Sequence, residues 1–375
     1  MTDTLPALID TIRAAAAAQT PLRLRGHGSK DFYGEPVQGT LLDTSGHSGI
    51  VSYEPTELVI TARAGTPLTD LEAALAQQGQ CLAFEPPRFG GRGTVGGMVA
   101  AGLSGPARAS VGAVRDYVLG LQMVNGRGEH LIFGGQVIKN VAGYDLSRLM
   151  VGSLGVLGLL TEVSLKVMPQ PAAEATLTFD IDQARALEQL HSWGAKPLPL
   201  NASRWEQGDN EPGEIGQLSV RLRGANAAVD SAIRTMTQDL PGTTLDNAQA
   251  AAEWTACRDQ TLPFFSAAAH PGQALWRLSL PPTAPGLNLL WPQLVEWHGG
   301  LRWVWAPPSA GAKLRDLAQA VGGTAMLFRA SDPIETRATG RFEPLESPLD
   351  QIHARLKAEF DPANIFNPGR MYPGL

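Results

Sequence analysis

The chain opens on an amphipathic stretch in which Leu5, Leu8, Ile9 and Ile12 run into five alanines, a spacing that predicts a helix within residues 1–19. Short β-branched runs follow at Leu22–Arg25, Leu41–Asp43, Ile50–Tyr53 and Leu58–Ala64, each closed by glycine, proline or serine, and they predict strands. After the last of these, Thr66 is placed to cap a helix whose first turn holds Pro67 and whose buried stripe is Leu68, Leu71 and Leu75, with Gly79 as its stop. Val118–Val124 and His130–Phe133 read as a hairpin joined through Asn125-Gly126-Arg127-Gly128, and a short helix is expected over Asp145–Val151. Leu159–Val167 alternates cleanly, with Val163, Leu165 and Val167 inward and Glu162, Ser164 and Lys166 outward, until Pro169 and Pro171 end it.

Beyond residue 173 the texture becomes strand, helix and strand without glycine-rich turns. Strands are expected at Thr176–Asp180, Gln217–Leu222, Thr243–Leu245, Leu275–Leu280, Leu301–Trp305 and Thr324–Phe328, with helices starting at Gln183, Asn226 and Ala310. Two ferredoxin-like halves sharing one antiparallel sheet account for this order. A last helix carries Ile352, Leu356 and Phe360 before a turn-rich tail. The fold class is therefore α+β, with a first domain over 1–170, a cap domain covered by helices over 171–347, and a segment 348–375 that returns to the first domain.

Composition narrows the chemistry. The 375 residues carry a formal net charge of −6, so the broad basic field that holds a nucleic-acid backbone is missing. Any phosphate must then be held locally, by main-chain N–H groups in glycine-rich turns, and 41 glycines supply material for such turns. No run of eighteen apolar residues occurs, so a soluble, cytoplasmic chain without direct membrane insertion is expected, peripheral attachment through a partner aside. Cys81 and Cys257 are too few for an iron–sulfur cluster, and no residues stand at metal-ligand spacing. The tryptophans Trp291, Trp297, Trp303 and Trp305 read as core, with an interface patch as the alternative.

Two loops stand out. The first, Arg25-Gly26-His27-Gly28-Ser29-Lys30, follows a strand directly, and its alternate glycines let successive N–H groups converge on an anion. The second runs from Pro86 through Pro87, Thr94, Val95, Gly96 and Gly97 to Ser104, Gly105 and Pro106, with small residues wherever backbone would lie against a bulky dinucleotide. Neither has the spacing of the Rossmann fingerprint, which disfavours NAD.

With Thr94-Val95-Gly96-Gly97, Val114–Leu121, Lys139–Leu146, Gly152–Gly158 and the closing Phe360-Asp361-Pro362 and Asn367-Pro368-Gly369-Arg370 all in order, the chain resembles the vanillyl-alcohol-oxidase-type (PCMH-type) FAD-binding family. The wording of Pro86–Pro106 and the short middle domain are most similar to the FAD-binding subunits of bacterial glycolate oxidase (glycolate dehydrogenase). The resemblance implies that Gly26, His27, Gly28, Ser29, Lys30, Pro87, Thr94, Val95, Gly96, Gly97, Ser104, Gly105 and Asn367 hold FAD, with Ser110, Gly112 and Val163 lining its adenosine portion. Relatives that bind flavin covalently use a histidine where this chain has Ser29, so non-covalent FAD is expected.

The resemblance also implies oxidation of glycolate, a small 2-hydroxy acid, to glyoxylate, in company with a second flavoprotein subunit and an iron–sulfur subunit that carries electrons onward. The H-x-G-D-G-N motif of catalytic relatives is absent, and the seven histidines are scattered. Tyr144, Arg329 and Arg370 are the remaining candidates for a donor and two cations near substrate. Two alternatives stay open: a free-standing FAD-dependent 2-hydroxy-acid dehydrogenase, and a non-catalytic subunit that keeps flavin for structure.

Overall fold

The computed structural model describes residues 4–91, 93–135, 145–208, 215–330 and 340–375, arranged in two compact units. The first comprises Met1–Ser104, Ala113–Pro169 and Pro344–Leu375, and the second Gly105–Gly112 and Gln170–Glu343. The chain passes between the units near 170 and 344, and again at the short excursion Gly105–Gly112, eight residues that cluster with the second unit.

In the first unit, α1 (Leu5–Ala18) buries Leu8, Ile12 and Ala15. Strands β1 (Leu22–Arg25) and β2 (Thr40–Asp43) pair in parallel, and Leu22 and Leu42 join the α1 stripe, Ile365 and Phe366 in one apolar cluster. Both ends of the chain are thereby tied together, with Leu22 N donating to Ile365 O at 2.7 Å and Asn367 N to Leu22 O at 3.0 Å. Strands β3 (Ile50–Glu54) and β4 (Val59–Arg63) begin the main sheet, and α2 (Leu68–Ala76) sets Leu68, Leu71 and Leu75 into its core as expected. Thr66 does not cap α2. Its hydroxyl instead accepts from Gly49 N at 2.9 Å and lies 3.1 Å from Gly49 O, because the turn after β4 folds back on residue 49.

After β5 (Gln80–Cys81) come α3 (Val95–Ala101) and α4 (Arg108–Val111), then β6 (Val118–Val124) and β7 (His130–Gly134), which form the hairpin. Helix α5 is one turn, Leu146–Leu149, capped by the Asp145 carboxylate accepting from Arg148 N. Strands β8 (Leu159–Lys166) and β9 (Met168–Pro169) complete the unit, whose five-stranded antiparallel sheet has the order β3-β4-β8-β6-β7. Val163, Leu165 and Val167 are fully buried against α2 and α3, and such burial of each large apolar side chain contributes about 1.5–3 kcal/mol.

The second unit is built on β10 (Ala173–Ile181), α6 (Gln183–Gly194), β11 (Leu200–Glu206), β12 (Gly216–Gly224), α7 (Asn226–Asp239) and β13 (Thr243–Thr244). Helix α8 (Asn247–Asp259) separates these from β14 (Ala274–Ser279), β15 (Gln293–Glu296), β16 (Leu301–Ala306), α9 (Gly311–Ala320) and β17 (Thr324–Arg329). All eight strands share one antiparallel sheet of order β13-β10-β12-β11-β15-β16-β14-β17. Each half has the ferredoxin-like order, and the halves join edge to edge through β11 and β15. The second half has irregular chain between β14 and β15 where the first has α6. Helix α10 (Leu349–Phe360) then returns to the first unit.

One face of the eight-stranded sheet is apolar under α6, α7 and α9. Across β10, β12 and β11 the opposite face is polar, and it holds α8 through directed bonds: Trp254 Nε1 donates to Thr176 Oγ1, Arg204 to Glu253, and Cys257 Sγ to Glu296 Oε1 at 3.1 Å. Trp303 Nε1 donates to the other Glu296 oxygen at 2.7 Å. Burial raises the pKa of both Cys257 and Glu296. Strands β11 and β15 read as polar segments because they supply this face, and the alanine-rich α8 lacks a broad apolar stripe, so none of the three is visible in the hydrophobic pattern.

The excursion Gly105–Gly112 is held within the second unit by a strained turn. Trp297, His298 and Gly299 take positive φ in succession, at 55°, 54° and 101°. Trp297 Nε1 donates to Gly105 O at 3.0 Å, Arg108 lies over the indole at 4.5 Å, and His298 Nε2 meets Ser110 Oγ at 3.0 Å. Burial pulls the His298 pKa from 6.5 to about 4, so the folded ring stays neutral where the unfolded ring takes up a proton. Its stabilising contribution is complete above the unfolded value and is lost as pH falls from about 6.5 towards 4. Denaturation of His298→Gln across that window should show a shallower loss of stability than the wild type. Parallel pH profiles for the two proteins would contradict this account.

Candidate functional site

The two glycine-rich loops both lie in the first unit and meet. The first leaves β1 at Arg25, whose guanidinium pairs with Asp31 at 2.7 Å, and turns through Gly28 at φ 73°. Glycine suits that position because its backbone is in the left-handed region, which side chains rarely adopt. Among the described residues, the main-chain N–H groups of Gly26, His27, Gly28 and Ser29 have no acceptor. Four consecutive donors left unspent at a turn make a site for an anion.

The second loop closes on the first at Thr94, the N-cap of α3, whose Oγ1 accepts from Gly97 N at 3.1 Å. Gly26 lies against this threonine so closely that a Cβ there would sit 2.6 Å from Oγ1. Lys30 reaches over the Phe89 ring at 5.6 Å, and Phe32 meets the same ring edge-on at 5.1 Å. The loops therefore line one cleft.

That cleft consists of two adjoining hollows, both open to solvent, the one along the first loop slightly the larger. Gly26, His27, Gly28, Ser29, Lys30, Thr94, Gly97 and Asn367 line the larger, together with Arg370, and Gly96 lines the smaller. Asn367 spends its side chain on main chain, accepting from Leu24 N at 2.8 Å and donating to Leu154 O at 2.7 Å. Arg370 donates to Lys30 O and Tyr33 O, at 3.2 and 3.0 Å, so it secures the first loop from outside.

Other candidates lie elsewhere. Pro87, Val95 and Val163 are buried and line neither hollow, Val95 and Val163 as core residues. Ser104 accepts from Val114 N at 3.2 Å within the first unit. Gly105, Ser110 and Gly112 belong to the second unit, where Gly105 O and Ser110 Oγ are engaged by Trp297 and His298. Arg329 ends β17 in that unit and donates to Gln260 Oε1 at 2.9 Å, with burial lowering its pKa. Tyr144 lies outside the described residues.

Several lining residues were not singled out from the sequence as binding residues: Leu24, Ala64, Ala100, Leu154 and Gly155. Leu154 and Gly155 have positive φ, 51° and 73°, and their signal was the dense glycine spacing of 152–158. Leu24, Ala64 and Ala100 carry no polar group to mark them.

The chain is similar to known proteins. Residues 3–134 match the FAD binding domain family. Over 369 residues the chain is 46% identical to "Glycolate oxidase subunit GlcE" of Escherichia coli (strain K12), covering 98% of this chain and 97% of that one. The chain belongs to the GlcE family. It is also 34% identical to "Glycolate oxidase subunit GlcD" of Bacillus subtilis (strain 168), over 50% of this chain and 41% of that one. Among solved structures, 4-ethylphenol oxidase from Gulosibacter chungangensis is similar at a TM-score of 0.69 and 14% identity, covering 99% of this chain and 88% of that one. That likeness shows the fold, which is the α+β architecture of the PCMH-type FAD-binding oxidases.

The cleft also makes a prediction for this GlcE-family chain. A Cβ on Gly97 meets Thr94 Oγ1 at 3.0 Å and no other atom within contact range, so a larger side chain there projects into the hollow with little cost to the fold. Gly97→Leu should remain folded by circular dichroism and weaken FAD binding by roughly tenfold or more, a loss of about 1.4 kcal/mol per decade. Unchanged affinity in a flavin-fluorescence titration would remove this hollow from consideration.

Proposed function

We propose that the chain is the FAD-binding subunit of an oxidase acting on glycolate or a closely similar 2-hydroxy acid, with FAD held non-covalently. The observation that carries the reading is the set of four unspent N–H groups, Gly26 to Ser29, in a loop closed against Thr94. These donors suit the pyrophosphate of a dinucleotide in a chain whose net charge is −6. Lys30 adds a cation at the same turn, and Arg370 keeps the turn from opening by holding Lys30 O and Tyr33 O. Main chain thus binds the phosphates while side chains brace the main chain.

When bound, the flavin supplies the acceptor for a hydride from the α-carbon of the hydroxy acid. Covalent attachment is disfavoured because Ser29 occupies the position at which covalently flavinylated relatives carry histidine. Electrons must leave through another molecule, since two cysteines cannot furnish the four thiolates of an iron–sulfur cluster. A second flavoprotein and an iron–sulfur protein are the companions we propose, with any membrane attachment supplied by them. No described helix is long and apolar enough to cross a membrane.

One observation favours a second reading, a flavin subunit that does not itself touch substrate. The sequence has no H-x-G-D-G-N motif, and Arg370 is committed to loop carbonyls. Purification with and without the companions separates the two. We expect the isolated chain to carry FAD that is released by acid precipitation and is bleached by glycolate when the companions are present. Flavin retained in the acid pellet would contradict non-covalent binding, and bleaching of the isolated chain would contradict dependence on companions.

A further inference from the structure

The motif Phe360-Asp361-Pro362 closes α10 with a buried charge that lines neither hollow of the cleft. Lys357 is 4% exposed and Asp361 1% exposed, one helical turn apart, with Nζ 2.7 Å from Oδ2. Burying two ions is costly unless every donor and acceptor is matched. Here the match is complete on the ammonium side. Lys357 Nζ also donates to Val156 O at 2.8 Å and Phe366 O at 2.9 Å, three acceptors for its three protons. Asp361 in turn accepts from Ile365 N at 3.1 Å and Phe366 N at 2.8 Å, and Gly126 packs so tightly on it that a Cβ would lie 2.5 Å from Oδ1.

The residues grasped are the neighbours of cleft residues. Val156 lies between Leu154 and Gly155 on one side and Gly158 on the other, all three of which line the smaller hollow. Phe366 precedes Asn367, which links Leu24 N to Leu154 O. One ammonium therefore fixes both the left-handed turn at 154–155 and the segment that clamps the end of β1, from which the first loop departs. A generic packing role needs apolar contact, whereas three carbonyl- or carboxylate-directed bonds set orientation.

We propose that Lys357 and Asp361 are positioning residues for flavin binding, acting through Val156 and Phe366 on the floor of the cleft. This rests on the FAD-binding reading above. The pair touches neither hollow's phosphate-directed donors, so its effect is on geometry.

The test is FAD affinity in the double variant Lys357→Met/Asp361→Asn, which removes both charges with little change in side-chain size, alongside Lys357→Arg, which keeps the charge but cannot place one nitrogen against three acceptors. Leu218→Ala, in the apolar core of the second unit, serves as a control for general destabilisation. We expect whichever of the two pair variants folds to bind FAD at least tenfold more weakly, with altered shoulders in the visible flavin band, while the control melts earlier but binds FAD as the wild type does. Wild-type affinity in a folded pair variant overturns the proposal, as does an equal loss in the control. A wild-type chain that binds no FAD would instead overturn the flavin reading itself, and the proposal with it.

Discussion

The structure turns on a main chain that leaves four donors unspent. Between Gly26 and Ser29 the backbone neither continues β1 nor begins a helix, so its N–H groups find no acceptor among the described residues. Such a segment is unstable unless it is bent and held from several sides. Arg25 and Asp31 close it beneath, Arg370 holds its far end, and Thr94 meets Gly26 from the second loop. Glycine is favoured at two points: at 28 by a positive φ, and at 26 by the approach of Thr94.

The rest of the first unit follows from keeping that segment still. The β1–β2 pair carries it, and the C-terminal segment from Ile365 to Arg370 grips both the strand and the loop. This explains why a chain that departs into a second unit must come back: without the returning residues, Leu24 N, Leu154 O and Lys30 O would lose partners. The second unit is held differently, by an apolar sheet face under three helices and a polar region of the other face that fastens α8 by buried hydrogen bonds.

The sequence made the architecture legible wherever side chains alternate by face. Leu68, Leu71 and Leu75, or Val163, Leu165 and Val167, are read directly because burial and period coincide. It was opaque where the buried partner is polar. Strand β11 presents Asn201 and Arg204 to a buried polar layer, and β15 ends in the buried Glu296, so neither resembles a core strand. The cleft was legible in its glycines and in Thr94, because only backbone requirements explain them. Its apolar floor at Leu154 and Ala100 carried no such mark, and the capture of Gly105–Gly112 by Trp297 and His298 depends on contacts distant in sequence.

The central claim is that main-chain amides of the first loop hold the diphosphate of FAD, and amide nitrogen–proton NMR of the labelled chain during FAD titration tests it most directly. The account predicts large downfield proton shifts at Gly26, His27, Gly28 and Ser29, saturating with the flavin absorbance. Full flavin binding with these four amides unmoved would contradict it.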